Sequence, residues 1–127
     1  MSRSVRAWIP AAAYMLLIWI LSSGTHDISF DQLPFKDKAV HFCEYGLLGL
    51  LLAHAVVRTW PLLPMWRSLL TAVSLTVAWG FFDELHQAFV PGRTCDAKDL
   101  LADTIGAIAG ALSFALLQRL SRRWIAS

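Results

Sequence analysis

Long apolar stretches alternate with short polar ones along the chain, and four of the apolar stretches have nearly the length of a membrane-spanning helix. The first, AWIPAAAYMLLIWILSSGTH, covers residues 7–26 without a formal charge. A transmembrane helix needs roughly 20 mostly apolar residues. The two-residue alternation of a transmembrane barrel strand is absent. The pattern predicts four helices over residues 7–24, 38–57, 67–89 and 99–119.

The third and fourth predicted helices can cross a bilayer only if they include charged residues. Their charge-free cores hold 15 residues each, which is about 22 Å of helix against a hydrocarbon thickness of roughly 30 Å. Asp83 and Glu84 therefore fall toward the end of helix three, and Asp99 and Asp103 fall at the start of helix four. Ionisable groups inside a span are expensive and mark candidate functional sites.

Composition agrees with a membrane protein. Hydrophobic residues make up 57% of the 127 residues and charged residues 16%, against about 25% charged in an average globular domain. These values exclude a disordered chain, a coiled coil and an ordinary soluble enzyme. We expect an all-α polytopic membrane protein with one domain, residues 1–127, and four transmembrane helices in one bundle.

The first apolar stretch has an alternative interpretation as a cleaved signal peptide. Arg3 and Arg6 precede it, and the small residues 22–24 follow it. Its length, its two tryptophans and Pro10 favour a retained helix over the shorter apolar region of a signal peptide.

The charge distribution predicts an orientation. Seven basic residues and no acidic one lie in the N-terminal tail, the loop between helices two and three, and the C-terminal tail. All nine acidic residues lie in the other two connections or in the adjoining helix ends. The positive-inside rule then places both termini in the cytoplasm, with loops 25–37 and 90–98 outside. No basic stripe interleaved with aromatic residues indicates nucleic acid binding.

Polar residues concentrate at the predicted outer ends of helices two, three and four. The stretches DKAVHFCEY (37–45), DELHQAFVPGR (83–93) and DAKDLLADTIGAIAG (96–110) each place several of them three or four residues apart, on one helical face. In a four-helix bundle these faces can converge into one outward-facing pocket. The predicted binding residues are Asp37, Lys38, His41, Glu44, Tyr45, Asp83, Glu84, Gln87, Arg93, Asp99 and Asp103.

A divalent metal in this pocket is one hypothesis, and the cofactor is otherwise unassigned. His41 with Glu44, and Asp83 with His86, are carboxylate–imidazole pairs three residues apart on different helices, as in metal sites of helical bundles. The spacing is weakly specific, and the chain has neither HExxH nor CxxC. For catalysis, Glu84 or Asp83 would act as base and His41 or His86 as acid or base. Alternatively, these polar groups only join the helices.

Small residues and cysteines suggest structural roles. Gly106 and Gly110 are four residues apart, which is typical of close helix contact, and Gly46 and Gly49 suit the same packing. The two cysteines, one in helix two and one in an outer loop, would form a disulfide only in an oxidising compartment.

The motifs DKAVHFCEYGLLG (37–49), DELHQAFVPGR (83–93) and Asp99 with ADTIGAIAG (102–110) together resemble the VanZ-like family of small bacterial membrane proteins. The resemblance covers about residues 13–117. It implies a bacterial cytoplasmic membrane location and a link to low-level resistance to the glycopeptide teicoplanin, without an established biochemical activity. Asp103 departs from the family pattern, in which many members have Asn, and makes the pocket more acidic.

Three functions are compatible with these features. In the first, the pocket binds or acts on envelope lipids, a lipid-linked envelope component or an amphiphile such as a lipid-tailed glycopeptide. In the second, the protein is a membrane-embedded, metal-dependent enzyme that acts on a lipid headgroup. In the third, it is a structural or transport partner, as a homo-oligomer for example, and His54 near the inner side would connect to the outer cluster.

Overall fold

Four α-helices make up most of the structure, a computed structural model that describes residues 2–24, 36–91 and 97–125. They are α1 (Arg3–Ser22), α2 (Lys36–Thr59), α3 (Met65–Gln87) and α4 (Ala97–Ile125), and the described residues contain no strand. The all-helical prediction and its four helices are confirmed. The helices begin or end two to six residues from the predicted bounds, because a charged residue near a helix end does not stop the helix.

Local sequence explains several helix ends. Ser2 caps α1, since its side-chain oxygen accepts a hydrogen bond from the Val5 amide at 3.3 Å. Pro64 occupies the N-cap position of α3, where the missing N–H of proline has no consequence for the helix. The connection from Thr59 to Met65 is so short that α2 and α3 are antiparallel neighbours.

Helix α2 lies at the centre of the bundle and packs against the other three helices, whereas α1 and α3 touch each other at only a few positions. The core between the helices consists of apolar side chains with little or no exposed surface. Its main members are Ala11, Ile18, Tyr45, Leu48, Leu52, Ala53, Val56, Ala72 and Ala111.

The most extensive helix contact, between α2 and α4, depends on small residues. A Cβ atom on Gly110 would overlap the carbonyl oxygen of Gly46, and one on Gly49 would lie 2.6 Å from the carbonyl oxygen of Ala107. The two backbones therefore touch directly, as small residues allow in membrane helix pairs. The predicted packing role of these glycines is confirmed.

The outer surface of the bundle is apolar, and three helices are long and apolar enough to cross a membrane. They are α1 over Arg3–Ser22, α2 over Lys38–Thr59 and α4 over Ala97–Arg122. Leu16, Phe82 and Leu116 each expose more than half of their surface, which in water would be an aggregation hazard. Helix α3 has 23 residues but is not among these three, and its last residues include Asp83 and Glu84.

The two ends of the bundle differ in charge. The acidic end comprises the end of α1, the starts of α2 and α4, and the end of α3 (residues 19–24, 38–45, 83–91 and 97–103). The basic end comprises the opposite helix ends and the α2–α3 loop (residues 3–8, 54–67 and 114–122). In the part of the chain that the structure describes, the buried acidic side chains all lie at the acidic end.

Candidate functional site

Asp83 is a buried hydrogen-bond acceptor that joins three helices at the acidic end. One carboxylate oxygen accepts from the Ser22 hydroxyl of α1 at 2.5 Å. The other accepts from the Tyr45 hydroxyl of α2 at 3.3 Å and from the Gln87 amide, one turn along α3, at 3.0 Å. Only 2% of Asp83 is exposed. Both oxygens of this carboxylate are therefore engaged by uncharged donors, which favours a role in fixing helix positions over a role as a base.

A second polar group lies between α2, α3 and α4, and His41 is at its centre. Nδ1 of His41 lies 2.9 Å from Oδ1 of Asp103, and Nε2 lies 3.9 Å from Oδ2 of Asp99. Asp99 is also ion-paired with Lys38. Asp103 and Asp99 are 1% and 6% exposed. Because a carboxylate only accepts hydrogen bonds, Asp103 holds the Nδ1–H form of His41 and directs Nε2 toward Asp99.

Glu84 completes this group from α3. One ligand atom each of His41, Glu84 and Asp99 lie within 4.8 Å of one another. Asp83 and Glu84 are adjacent in the chain and about 100° apart around the helix axis, so Asp83 faces α1 and α2 while Glu84 joins the set with α2 and α4. Among the described residues, these three form the set of ligand atoms close enough to hold one metal ion. We call His41, Glu84, Asp99 and Asp103 the His41 cluster.

The structure places the four predicted metal candidates in different surroundings, and the metal site stays a prediction. The predicted set contained His41, Glu44, Asp83 and His86, of which only His41 belongs to the set of close ligand atoms. His86 faces α1, where its ring stacks on Trp19 with centroids 4.0 Å apart and its Nε2 lies 2.9 Å from the Ser23 hydroxyl. Residues three apart share a face, but spacing alone does not say which neighbouring helix that face meets.

The other predicted site residues lie in different places. Tyr45 and Gln87 belong to the hydrogen bonds of Asp83. Glu44 is half-buried on α2, outside the His41 cluster. The side chain of Asp37 and the whole of Arg93 lie outside the described residues. So does Cys95, and the hypothesis of a disulfide with the exposed Cys43 stays a prediction.

Helix α1 contributes contacts that the sequence did not indicate. Ser22 binds Asp83, Ser23 lies beside His86, and Trp19 stacks on the same histidine. Hydroxyl side chains are common in apolar helices, where they bond to the backbone of the preceding turn, as Ser23 does with the Trp19 carbonyl. The one signal in the sequence is the position of two serines at the end of the apolar stretch, and small residues there fit a signal-peptide cleavage site equally well.

An open, apolar groove separates α1 from α3 just below the acidic end. It has a volume of about 560 Å³, and its lining residues are Ala12, Met15, Leu16, Trp19, Trp79 and Phe82. Trp19 belongs both to this groove and to the stack with His86. The buried indole Nε1 of Trp79 has no hydrogen-bond partner among the described residues. The groove thus leads from the apolar outer surface to the polar residues of the acidic end.

His54 lies apart from the His41 cluster along α2. His54 lies at the basic end, where its ring meets that of Phe114 edge-on at 6.0 Å. Between His54 and the His41 cluster, α2 carries the fully buried Leu48 and Leu52.

These features define a small helical protein of membrane type whose polar site is assembled from all four helices at one end. The family model of VanZ/LLP1 matches residues 8–118. The chain belongs to the VanZ/LLP1 family. No curated protein and no solved structure matches the chain.

Proposed function

We propose that this protein binds an amphiphile of the bacterial envelope, a membrane lipid or a lipid-tailed glycopeptide, with the polar head at the acidic end and the hydrocarbon tail in the groove between α1 and α3. The observation that carries the proposal is the continuity of these two regions at Trp19, which lines the groove and stacks on His86. A ligand that is apolar at one end and polar at the other fits such a site.

The proposed topology has four spans in the cytoplasmic membrane, with both termini in the cytoplasm. Three helices have the length and composition of spans, and α3, of comparable length, packs against both α2 and α4. The basic residues at one end then face the cytoplasm, in accord with the positive-inside rule. The acidic end and the opening of the groove face outward, where envelope lipids and glycopeptides are present.

The chemistry of the acidic end suits a head that offers hydroxyl, amine or phosphate groups. Lys38 has a side chain 30% exposed beside Asp99, so this ion pair can accept hydrogen bonds from a head and donate them to it. The ring of Trp79 lines the groove beside Trp19 and would contact the apolar part of the ligand. The resemblance to the VanZ-like family implies a link to teicoplanin, whose acyl tail would occupy the groove.

Filling the groove tests this proposal. Leu16 lines the groove and Leu116 faces outward from α4, and both are 58% exposed. Leu16→Trp should reduce, at least about tenfold, the binding of phosphatidylethanolamine and of teicoplanin to the purified protein in native mass spectrometry. Leu116→Trp is the matched control and should bind as the wild type does. Equal binding by both variants would contradict the proposal.

A second comparison tests whether binding requires the acyl tail of the ligand. Deacylated teicoplanin keeps the polar head but lacks the tail, so it should bind the wild type at least about tenfold more weakly than teicoplanin. In cells that express the protein, Leu16→Trp should abolish any change in teicoplanin susceptibility that the wild type confers. A tail-independent interaction would show that the groove is not the ligand site.

A metal-dependent reaction on a lipid headgroup is a second candidate function, and the close set of His41, Glu84 and Asp99 favours it. In that case, Glu84→Gln would stop conversion of envelope lipids in cells that overproduce the protein. Lipid extracts analysed by mass spectrometry measure this directly. An unchanged lipid profile on overproduction of the wild type would count against an enzyme and leave the binding proposal intact.

A further inference from the structure

We infer that the His41 cluster is a divalent-cation site in which His41, Glu84 and Asp99 are the ligands and Asp103 positions the histidine. The inference is independent of lipid binding, because all four residues belong to the bundle itself. It replaces the pairing expected from spacing with a set that takes one ligand from each of α2, α3 and α4.

The distances suit a bound ion. Zn²⁺ lies about 2.0–2.2 Å from imidazole nitrogens and carboxylate oxygens, so its ligand atoms lie roughly 3–4 Å apart. Nε2 of His41 is already 3.9 Å from Oδ2 of Asp99, and all three ligand atoms lie within 4.8 Å. Side-chain rotations that move the Glu84 and Asp99 carboxylate oxygens by less than about one ångström would bring these atoms to bonding distance of an ion.

Asp103 supplies the contact that metal-binding histidines usually make through their second nitrogen. Such a histidine donates its other ring N–H to a carboxylate or carbonyl, which fixes the tautomer and the ring orientation. Here Nδ1 of His41 lies 2.9 Å from Oδ1 of Asp103, whose side chain is 1% exposed. This leaves the lone pair of Nε2 on the side of Asp99. A hydrogen bond of this kind distinguishes the cluster from a set of acidic side chains alone.

The buried negative charges of the His41 cluster also favour a bound cation. The carboxylates of Glu84, Asp99 and Asp103 are all buried, and Asp99 is paired with Lys38. Like charges held close together away from water disfavour each other strongly. A divalent cation between Glu84 and Asp99 removes this repulsion. Lys38 is then a neighbour of the site that balances charge from outside the ligand set.

The donor atoms indicate the class of ion. One imidazole nitrogen and two carboxylate oxygens suit Zn²⁺ or Mn²⁺, and the set contains no thiolate that would select a softer metal. Three protein ligands leave at least one coordination position for water or for an oxygen of a bound head. Such an open position is typical of catalytic rather than structural metal sites.

Metal binding to the purified full chain tests the inference. After chelator treatment in detergent, the wild type should bind one Zn²⁺ or Mn²⁺ per chain in equilibrium dialysis. His41→Ala, Glu84→Gln and Asp99→Asn should each weaken binding more than about tenfold, and Asp103→Asn by about 10–100-fold. Glu44→Gln and His54→Ala are matched controls, since they alter the same residue types on α2 outside the set, and they should bind as the wild type does.

A measurement on the wild type avoids variants that fail to fold. With imidazole-labelled protein, Zn²⁺ should shift the ¹⁵N resonance of Nε2 in one of the four histidines, identified as His41 by elimination with single variants of the other three. Absence of any ion on folded wild type overturns the inference and leaves a network of ion pairs alone. Binding that survives His41→Ala, or a shift at another histidine, overturns the ligand set. Lipid binding measured in chelator separates these outcomes from the proposed function.

Discussion

The two ends of the bundle carry similar numbers of polar side chains but use them in opposite ways. At the acidic end, Asp83, Asp99 and Asp103 are buried and contact side chains from other helices. At the basic end, Arg3 and Arg58 are exposed and line a cavity of about 420 Å³ with other basic residues. Exposed charges contribute little to stability, whereas buried ones require specific partners.

This difference distinguishes residues that orient a small membrane protein in the bilayer from residues that form its functional site. In the proposed topology, the arginines of the basic end need only be on the cytoplasmic side, and any exposed position satisfies that need. The acids of the other end are held in the interior at a cost in free energy, which residues that only set topology do not incur. Burial of charge, rather than its amount, therefore marks the site.

The largest expected effect comes from separating α2 from α4 at the acidic end. A Cβ on Gly106 would overlap the carbonyl oxygen of Phe42, so Gly106→Leu should lower the free energy of unfolding by about 3 kcal/mol. Ser113→Leu, an exposed position on the same helix toward the basic end, should change it by less than about 0.5 kcal/mol. Unfolding by SDS in mixed micelles, followed by circular dichroism, measures the free energy of unfolding of both variants. Similar losses of stability would show that the close α2–α4 contact contributes no more than an exposed position does.

Removing the buried acceptor Asp83 should have the next largest effect. Asp83→Ala deletes hydrogen bonds from Ser22, Tyr45 and Gln87, each worth about 0.6 kcal/mol on average in membrane proteins. The expected loss is about 2 kcal/mol. Arg58→Ala at the basic end should cost less than about 0.5 kcal/mol. If the arginine variant loses as much in the same SDS titration, the contrast between the two ends is wrong.

A smaller effect is expected from the link between α1 and the site. Ser22→Ala removes one short hydrogen bond to Asp83 and should cost about 1 kcal/mol. It should also loosen the end of α1, so that hydrogen exchange of amides near Trp19 becomes faster. Ser23→Ala is the matched control, because the Ser23 hydroxyl contacts the exposed side of His86 and not Asp83. Equal effects of both serines would show that Asp83 does not hold α1.

The smallest effect concerns the basic end, where Trp8 and Thr59 form a hydrogen bond between α1 and α2. The indole Nε1 donates to the threonine hydroxyl at 2.8 Å, and Trp8→Phe should cost about 0.6 kcal/mol. Binding of Zn²⁺ and of amphiphiles should stay unchanged, because the acidic end is not touched. A loss of ligand binding in this variant would mean that the two ends are coupled.

Much of the fold could be predicted because each helix carries its own signal. Charge-free stretches located all four helices, and the four-residue spacing of Gly106 and Gly110 was enough to indicate a close helix contact. The predicted start of α1 and the predicted end of α4 were less accurate. Arg3 and Arg122 extend a helix into the polar region as readily as an apolar residue does in the interior.

The site was predictable as a region but not as a set of contacts. His41, Glu84 and Asp99 were all candidates, yet their grouping depends on how α3 is rotated about its axis. Asp83 and Glu84 are neighbours, and a rotation of about 100° exchanges their roles. Nothing in the sequence sets that rotation. It follows from packing, in which Gly80 of α3 lies so close to α2 and α4 that a Cβ atom there would be 3.1 Å from the Tyr45 ring and 3.2 Å from the Asp103 carboxylate.

The division of the polar site among four successive helices also sets an order of events during biosynthesis. The hydrogen bonds of Asp83 involve only α1, α2 and α3, so they can form once the first three helices have left the ribosome. The His41 cluster needs Asp99 and Asp103 of α4, the last helix to be synthesised. One half of the site can therefore assemble during translation, and the other half only after the final helix has inserted and met the backbone of α2.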